Sequence, residues 1–374
     1  VPAHRSHPSE KPRELGLVVA VDLHLSGRPL EPELAEFEAL IEAAGARTAG
    51  RVVQRLDAVD PATLVGSGKA REIAAAALEC GATTIFAFND LRPRQRANLE
   101  KIIPLPIVDR TMVILDIFAQ RARSREGKLQ VELAQLRYRQ ANLIGSSAAL
   151  SRLGGGIGTR GPGETKLEVD RRRIQARISL VRGMLEDVRR SRATRRAPEG
   201  APPLLALVGY TNVGKSSLLN RFAHGEAAFV ADQPFATLDP TLRNVYLGPN
   251  SYARMADTVG FITELPKELI NAFRATLEEL ESADVLLHVI DASTADWPRR
   301  RASVETILHD LRLDAKPTIL VFNKIDRLSM QAVSGLLPPI PPDAIGVSAA
   351  NGEGLERLRE EILHALAGAC AARG

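Results

Sequence analysis

Aromatic side chains are scarce in this sequence: one Trp, four Tyr and ten Phe, 4% of 374 residues. A surface that holds single-stranded nucleic acid by stacking bases on aromatic rings needs more of them, so that mode is disfavoured. Cysteine is scarcer still, with Cys80 and Cys370 far apart in sequence. Two such residues exclude a disulfide framework and fit a reducing, cytoplasmic setting. No uncharged apolar run approaches the length of a membrane span, so the chain reads as soluble. Residues 1–14 carry Pro, His and charge but no apolar h-region, so no secretory signal is visible and they read as a disordered lead-in.

What is present is ordinary globular composition, 45% apolar and 25% charged, in a length that accommodates two or three domains. Charge is unevenly spread. Between Ala119 and Pro198 there are 19 Lys and Arg against 7 Asp and Glu, a local +12 in a chain whose total is +4, so the remainder carries −8. That stretch is the surface expected to face a polyanion.

The amino-terminal segment, 15–110, alternates between strand and helix patterns. Leu17–Val21, Arg51–Arg55 and Thr83–Phe88 read as strands; Glu33–Ala44, Lys69–Leu78 and Arg94–Ile102 read as helices, with Gly45 and Gly81 as stops. This predicts a small α/β domain. Val65-Gly66-Ser67-Gly68-Lys69 resembles half a phosphate loop, but Ala70 stands where Ser or Thr is needed, so it reads as a turn and helix entry. No nucleophile–base pattern appears here, and the segment is expected to bind or position.

Residues 111–198 predict an antiparallel helical hairpin, a coiled coil. One seam is Leu129, Leu133, Leu136, Gln140 and Leu143; the other is Leu167, Arg171, Ile174, Ile178, Val181, Leu185 and Val188. Thr165–Glu168 is a capping box that would start the second helix. The intervening loop, 145–163, holds six glycines within ten residues: Gly154, Gly155, Gly156, Gly158, Gly161 and Gly163. It is far longer than a hairpin turn requires. Bare glycine backbone beside Arg152, Arg160 and Lys166, continued by Arg171, Arg172, Arg173 and Arg177, suits close approach to RNA phosphates.

After the Pro-rich link Ala197–Pro203, the carboxy-terminal segment, 199–374, opens with the apolar strand Leu204–Val208. Gly209-Tyr210-Thr211-Asn212-Val213-Gly214-Lys215-Ser216 follows, then a helix start at Ser217. The spacing is that of a P-loop, whose backbone N–H groups curl around phosphates. Lys215 would reach the outer phosphates, and the Ser216 hydroxyl would ligate Mg²⁺. In Phe235-Ala236-Thr237-Leu238-Asp239, Thr237 would close over Mg²⁺ and the γ-phosphate. In Asp257-Thr258-Val259-Gly260, Asp257 would hold Mg²⁺ through water and the Gly260 N–H would meet the γ-phosphate. Asn323-Lys324-Ile325-Asp326 ends an apolar strand. The Asp326 carboxylate can accept guanine N1–H and N2–H₂, a pair adenine lacks, while the Lys324 stem covers the base. Ser348-Ala349-Ala350 would offer N–H groups to guanine O6. Four such motifs in this order make a GTP site the reading, in a mainly parallel P-loop GTPase fold.

The chain resembles the HflX family within the translation-factor-related GTPases. The resemblance rests on Gly154–Glu168, Gly209–Ser216, Phe235–Thr241 and Asp257–Phe261, and covers the sequence from about Leu15 onward. It implies a monomeric GTPase that binds the large ribosomal subunit and its rRNA and helps split or rescue stalled ribosomes under stress, with the hairpin reaching toward the peptidyl-transferase centre. It also implies that Asn212 matches an asparagine that holds K⁺ in similar GTPases. Some members carry a further domain; here Gly354–Ala369 reads as the final helix. Phe261 stands where a water-positioning Gln is often found, so intrinsic hydrolysis is expected to be slow and stimulated by a partner. The competing reading is a signalling GTPase acting on a protein effector through its coiled coil; the +12 hairpin favours rRNA. A small-molecule phosphotransferase is disfavoured, since no acceptor site is readable.

Overall fold

The computed structural model describes residues 14–23, 30–150, 162–193, 202–223, 234–235, 241–249, 251–262, 280–328 and 337–371, with side chains left undescribed at 144–150, 162–167, 189, 192–193 and 370–371. The expected lead-in therefore lies almost wholly outside the described residues. The chain forms two compact units: Val1–Gln120 with Gln135–Leu180, and Arg121–Ala134 with Val181–Gly374.

The first unit is built on a four-stranded parallel sheet of β1 (Leu15–Leu23), β2 (Arg47–Leu56), β3 (Thr84–Ala87) and β4 (Ile107–Asp109), in the order β2-β1-β3-β4. Crossovers run through α1 (Leu30–Ala43), α2 (Ser67–Glu79) and α3 (Pro93–Ile102), and α4 (Arg110–Arg121) follows β4. Central β1 is buried from Leu17 to Val21, as a strand covered on both faces must be, whereas edge strand β2 alternates with exposure. One face packs Leu17, Val19, Val21, Ile73, Ile85 and Leu99 into a core. α1 turns Phe37, Leu40 and Ile41 inward, and Gly45, at φ +95°, permits the turn after it. Val65–Lys69 is indeed a helix entry, since α2 begins at Ser67.

The hairpin consists of α5 (Arg125–Leu150) and α6 (Pro162–Ala193). The helices close in on the glycine loop from both sides. α5 continues through Gly145 to Leu150, because one helical glycine costs only about 1 kcal/mol and Ser146–Leu150 contains good helix formers. α6 starts at Pro162 rather than at the Thr165 capping box, proline being suited to a first turn. Within the first unit, the two seam breakers behave differently: Gln140 donates to Gln175 at 2.7 Å, and Arg171 is exposed. The middle of α5 is tied to the sheet at a half-buried cluster, where buried Asp109 accepts from Tyr138 at 2.6 Å and from Arg96 at 2.5 Å.

The second unit carries a six-stranded sheet in the order β10-β9-β8-β5-β7-β6: β5 (Leu204–Gly209), β6 (Thr241–Gly248), β7 (Ser251–Asp257), β8 (Val285–Asp291), β9 (Thr318–Asn323) and β10 (Ile345–Gly346). Among the described strand pairs of this sheet, β6–β7 is antiparallel and the others are parallel. Helices α7 (Lys215–Phe222), α8 (Trp297–Asp310) and α9 (Leu355–Ala371) accompany it. β5 and β8 are buried at every residue; β5 is an unbroken apolar run, whereas β8 also buries His288 and Asp291. Both expected architectures, a parallel α/β sheet and a mainly parallel mixed sheet, are thus present with a helical hairpin.

Candidate active site

The motif residues gather at the carboxyl ends of β5, β7, β8 and β9, where open α/β sheets bind ligands. β5 delivers Gly209 at φ +152°; a Cβ there would lie 2.2 Å from the Val289 carbonyl oxygen. Gly214 precedes α7 at φ +92°, and a Cβ there would lie 2.3 Å from Asn323 Nδ2. Only glycine passes through either point. Asn212, between them, is exposed and takes φ +59°, a region asparagine tolerates.

Lys215 is 7% exposed. Its ammonium donates to the carbonyls of Tyr210 (2.9 Å) and Gly209 (3.2 Å). Burial pulls its pKa down from 10.5 to about 8, with nearby Asp257 acting the other way. Ser216 Oγ donates to Asp257 Oδ2 at 2.6 Å, which brings together a hydroxyl from α7 and a carboxylate from β7. Two hard oxygen donors side by side suit Mg²⁺. Thr258 turns its hydroxyl into the sheet, donating to Leu207 O at 2.6 Å. Gly260 packs on the phosphate loop so tightly that a Cβ would lie 2.9 Å from Thr211 Cα and 3.0 Å from Lys215 Nζ. Phe261 is buried; its N–H donates to Gly209 O (3.0 Å) and its carbonyl accepts from Thr211 (2.7 Å). Its ring belongs to the core and cannot orient water.

The Asn323–Asp326 segment is laced to the same loop. Asn323, 1% exposed, donates from Nδ2 to Val213 O (2.8 Å) and accepts at Oδ1 from Ala349 N (3.0 Å). Lys324, at φ +67°, donates to Asn212 O at 2.7 Å. Asp326 is exposed at the mouth and accepts from buried Ser348 Oγ at 2.5 Å. Lys215, Ser216, Asp257, Gly260, Asn323, Lys324, Asp326 and Ser348 therefore share one site. Phe235 is buried at φ +56°, but Ala236, Thr237, Leu238 and Asp239 lie outside the described residues. So do Arg152, Gly154, Gly155, Gly156 and Arg160, and the Lys166 side chain. Arg171, Arg172, Arg173 and Arg177 are exposed on α6, within the first unit.

Three family models match in succession: "GTP-binding GTPase N-terminal" over residues 31–119, "GTP-binding GTPase Middle Region" over 121–198, and "50S ribosome-binding GTPase" over 204–324. GTPase HflX of Lacrimispora saccharolytica is 47% identical over 329 residues, covering 87% of this chain and 77% of the relative. The chain belongs to the HflX family of GTPases. GTPase HflX of Escherichia coli is 43% identical over 344 residues, covering 90% of this chain and 79% of the relative. The crystal structure of SsGBP with GDP shares the fold, with a TM-score of 0.50 at 24% identity over 95% of this chain and 99% of that one. As a member of the HflX family the chain is an enzyme that binds and hydrolyses GTP, and its carboxy-terminal unit is of the ribosome-binding GTPase kind. Among the described residues no helix is long and apolar enough to cross a membrane.

Sequence reasoning missed several groups of this site. Arg221 on α7 donates to Ala349 O at 2.7 Å and also to Ala350 O, holding the Ser348–Ala350 turn. Arg300 stacks its guanidinium 4.9 Å from the centre of the buried Tyr210 ring and donates to Asp296 at 2.8 Å. Arginines carry no spacing signal of that kind. Asp291 was findable, because it is a strand-end Asp like Asp257. His288, 1% exposed on β8, is held neutral by burial, which pushes its pKa down to about 3.

Proposed function

We propose that this GTPase binds the large ribosomal subunit and its rRNA in the GTP state and splits or rescues stalled ribosomes, hydrolysis ending each engagement. The observation that carries the reading is the succession of the three matched regions, ending in the ribosome-binding GTPase region, together with the +12 stretch that contains α6. Exposed Arg171, Arg172, Arg173 and Arg177 would contact rRNA phosphates, with Arg152, Gly154, Gly155, Gly156, Arg160 and Lys166 in the adjoining loop. Lys215, Gly260 and Thr237 would act on the transferred phosphoryl group. Ser216, Asp257 and Thr237 would hold Mg²⁺, which when bound neutralises phosphate charge. Asn212, whose side chain is exposed beside the loop, would hold K⁺. Asn323, Lys324, Asp326 and Ser348–Ala350 would select guanine. With the Phe261 ring in the core, no side chain at that position orients the attacking water, so the ribosome would complete the site.

The test is co-sedimentation with 50S subunits and 70S ribosomes in a non-hydrolysable GTP analogue across a salt series, with light scattering to follow splitting. The expected result is GTP-dependent 50S binding that weakens steeply with salt, loss of 70S scattering, and GTP turnover stimulated by ribosomes. Fast turnover unchanged by ribosomes, or nucleotide-independent binding, would overturn it. Faster hydrolysis in KCl than in NaCl is expected if Asn212 holds the cation; equal rates would remove that role.

A further inference from the structure

Asp291 ends β8 beside the phosphate loop, with its side chain 8% exposed. Its Oδ2 lies 2.7 Å from Lys324 Nζ, and its Oδ1 accepts from Ser293 N (2.9 Å) and Ser293 Oγ (2.6 Å). The same Lys324 ammonium donates to the Asn212 carbonyl at 2.7 Å. Asp291 and Asn323 are register partners across β8 and β9, and Ala292 N donates to Asn323 O at 2.9 Å. One ammonium thus joins three chain segments: a strand end, the base-reading segment and the phosphate loop.

The geometry sets the division of labour. A lysine stem lies flat over a base only if its far end is tied down, since the free side chain has four rotatable bonds and large rotamer entropy. A carbonyl alone would tie it weakly; a carboxylate shielded from water ties it by a charge-assisted bond. Ser293 fixes the carboxylate in turn, so its second oxygen is aimed rather than free to rotate. The Lys324 backbone is held in the left-handed region at φ +67°, which directs the stem back across the strand ends.

From this we infer that Asp291 is a positioning residue for guanine-nucleotide binding, acting through Lys324 to hold the base-covering stem and the Asn212 turn of the phosphate loop together. The inference rests on the reading that Asn323–Asp326 grips guanine. Because the contacts are to the base side and to a backbone carbonyl, they are the same with GDP and GTP. Asp291 therefore sets affinity and not the chemical step.

The experiment measures affinity for fluorescent GDP and steady-state GTP hydrolysis in four full-length proteins: the parent, Asp291→Asn, Lys324→Met and the double variant. Lys324→Met keeps an aliphatic stem and removes only the ammonium, so parental affinity there would overturn the inference; a fifth protein, Lys324→Ala, removes the stem and tests the underlying reading, since parental affinity in it would mean that Lys324 does not cover the base. Given a loss in Lys324→Met, Asp291→Asn is expected to weaken GDP roughly tenfold and raise KM for GTP in parallel, with kcat within about twofold of the parent. The double variant is expected to be no weaker than Lys324→Met, the mark of one residue acting through the other. Parental affinity in Asp291→Asn, or losses that add in the double variant, would overturn the inference while leaving the guanine reading intact. Where Asp291→Asn does not fold, Asp291→Glu replaces it in the same cycle. The longer side chain shifts the ammonium off Asn212, so affinity falls severalfold with Lys324 present and not with Met at 324; unchanged affinity with Lys324 present overturns the inference.

Discussion

The buried phosphate-loop lysine is expected to make nucleotide affinity depend on pH above neutrality. Lys215 is 7% exposed, bonded to two carbonyls, and its pKa is drawn down to about 8. Phosphates bound beside it favour the charged form and return the pKa toward or above its ordinary 10.5. The sign follows directly. Below pH 8 the lysine is already charged and binding moves no proton; above it, binding must first take one up, so affinity falls as pH rises. With that pKa, linkage gives about a fourfold weaker Kd at pH 8.5 than at pH 7, and uptake of roughly half a proton per GDP at pH 8. Calorimetry at pH 8 in two buffers of different ionisation enthalpy reads the proton, and fluorescent GDP reads the Kd. The window stays below the range where guanine N1 itself ionises. Lys215→Arg provides the control, since a guanidinium does not titrate here. Zero proton uptake at pH 8 in the parent, or the same uptake in Lys215→Arg, would mean that Lys215 is not the group that titrates on binding.

Three further outcomes follow from named contacts. Gly214→Ala places a Cβ 2.3 Å from Asn323 Nδ2 at φ +92°; the left-handed strain and the lost Asn323–Val213 bond together are worth about 2–3 kcal/mol, read by urea unfolding of nucleotide-free protein. Asp326→Asn exchanges an acceptor for a donor and is expected to cost about 100-fold or more in GDP affinity while improving xanthosine diphosphate, in competition binding; unchanged guanine preference would remove Asp326 from base selection. His288, neutral in the fold with a pKa of about 3 against 6.5 ordinarily, contributes stability that is complete above pH 6.5 and declines as pH falls toward 3. The loss should reach about 2 kcal/mol by pH 5, and His288→Asn should flatten that part of the profile.

Much of this was legible because it rests on chemistry that one residue type does well. Gly209 and Gly214 are glycine because a carbonyl or an amide nitrogen occupies the space of a Cβ, so the motif spacing announces the loop. β5 is apolar throughout because neighbouring elements cover both faces, and that run is visible without coordinates, whereas β8, equally buried, carries His288 and Asp291. β4 was not legible: three residues give no period to detect. Nor were the inner ends of the hairpin helices, where Gly145 and Pro162 are helical although both residue types usually punctuate.

What the sequence hid was how the loops are tied together. Motif reading assigns each segment to its own part of the nucleotide, as though the segments worked separately. The contacts run across the motifs instead: Phe261 to Gly209 and Thr211, Asn323 to Val213, Lys324 to Asn212, Arg221 to Ala349. Most end on a backbone carbonyl, and a carbonyl acceptor is the same at every residue, so it leaves no trace in composition or spacing. The lacing has a mechanical consequence. Gly260 is packed against Thr211 and Lys215, so a shift at the end of the Asp257–Gly260 segment must move the phosphate loop or be resisted by it. The phosphate loop is in turn tied to Asn323 and Lys324, so the segments expected to meet the base and the γ-phosphate are two ends of one laced unit. In a GTPase wired in this way a contact at the γ-phosphate would be felt through the whole site, and its readout need not lie on any single motif.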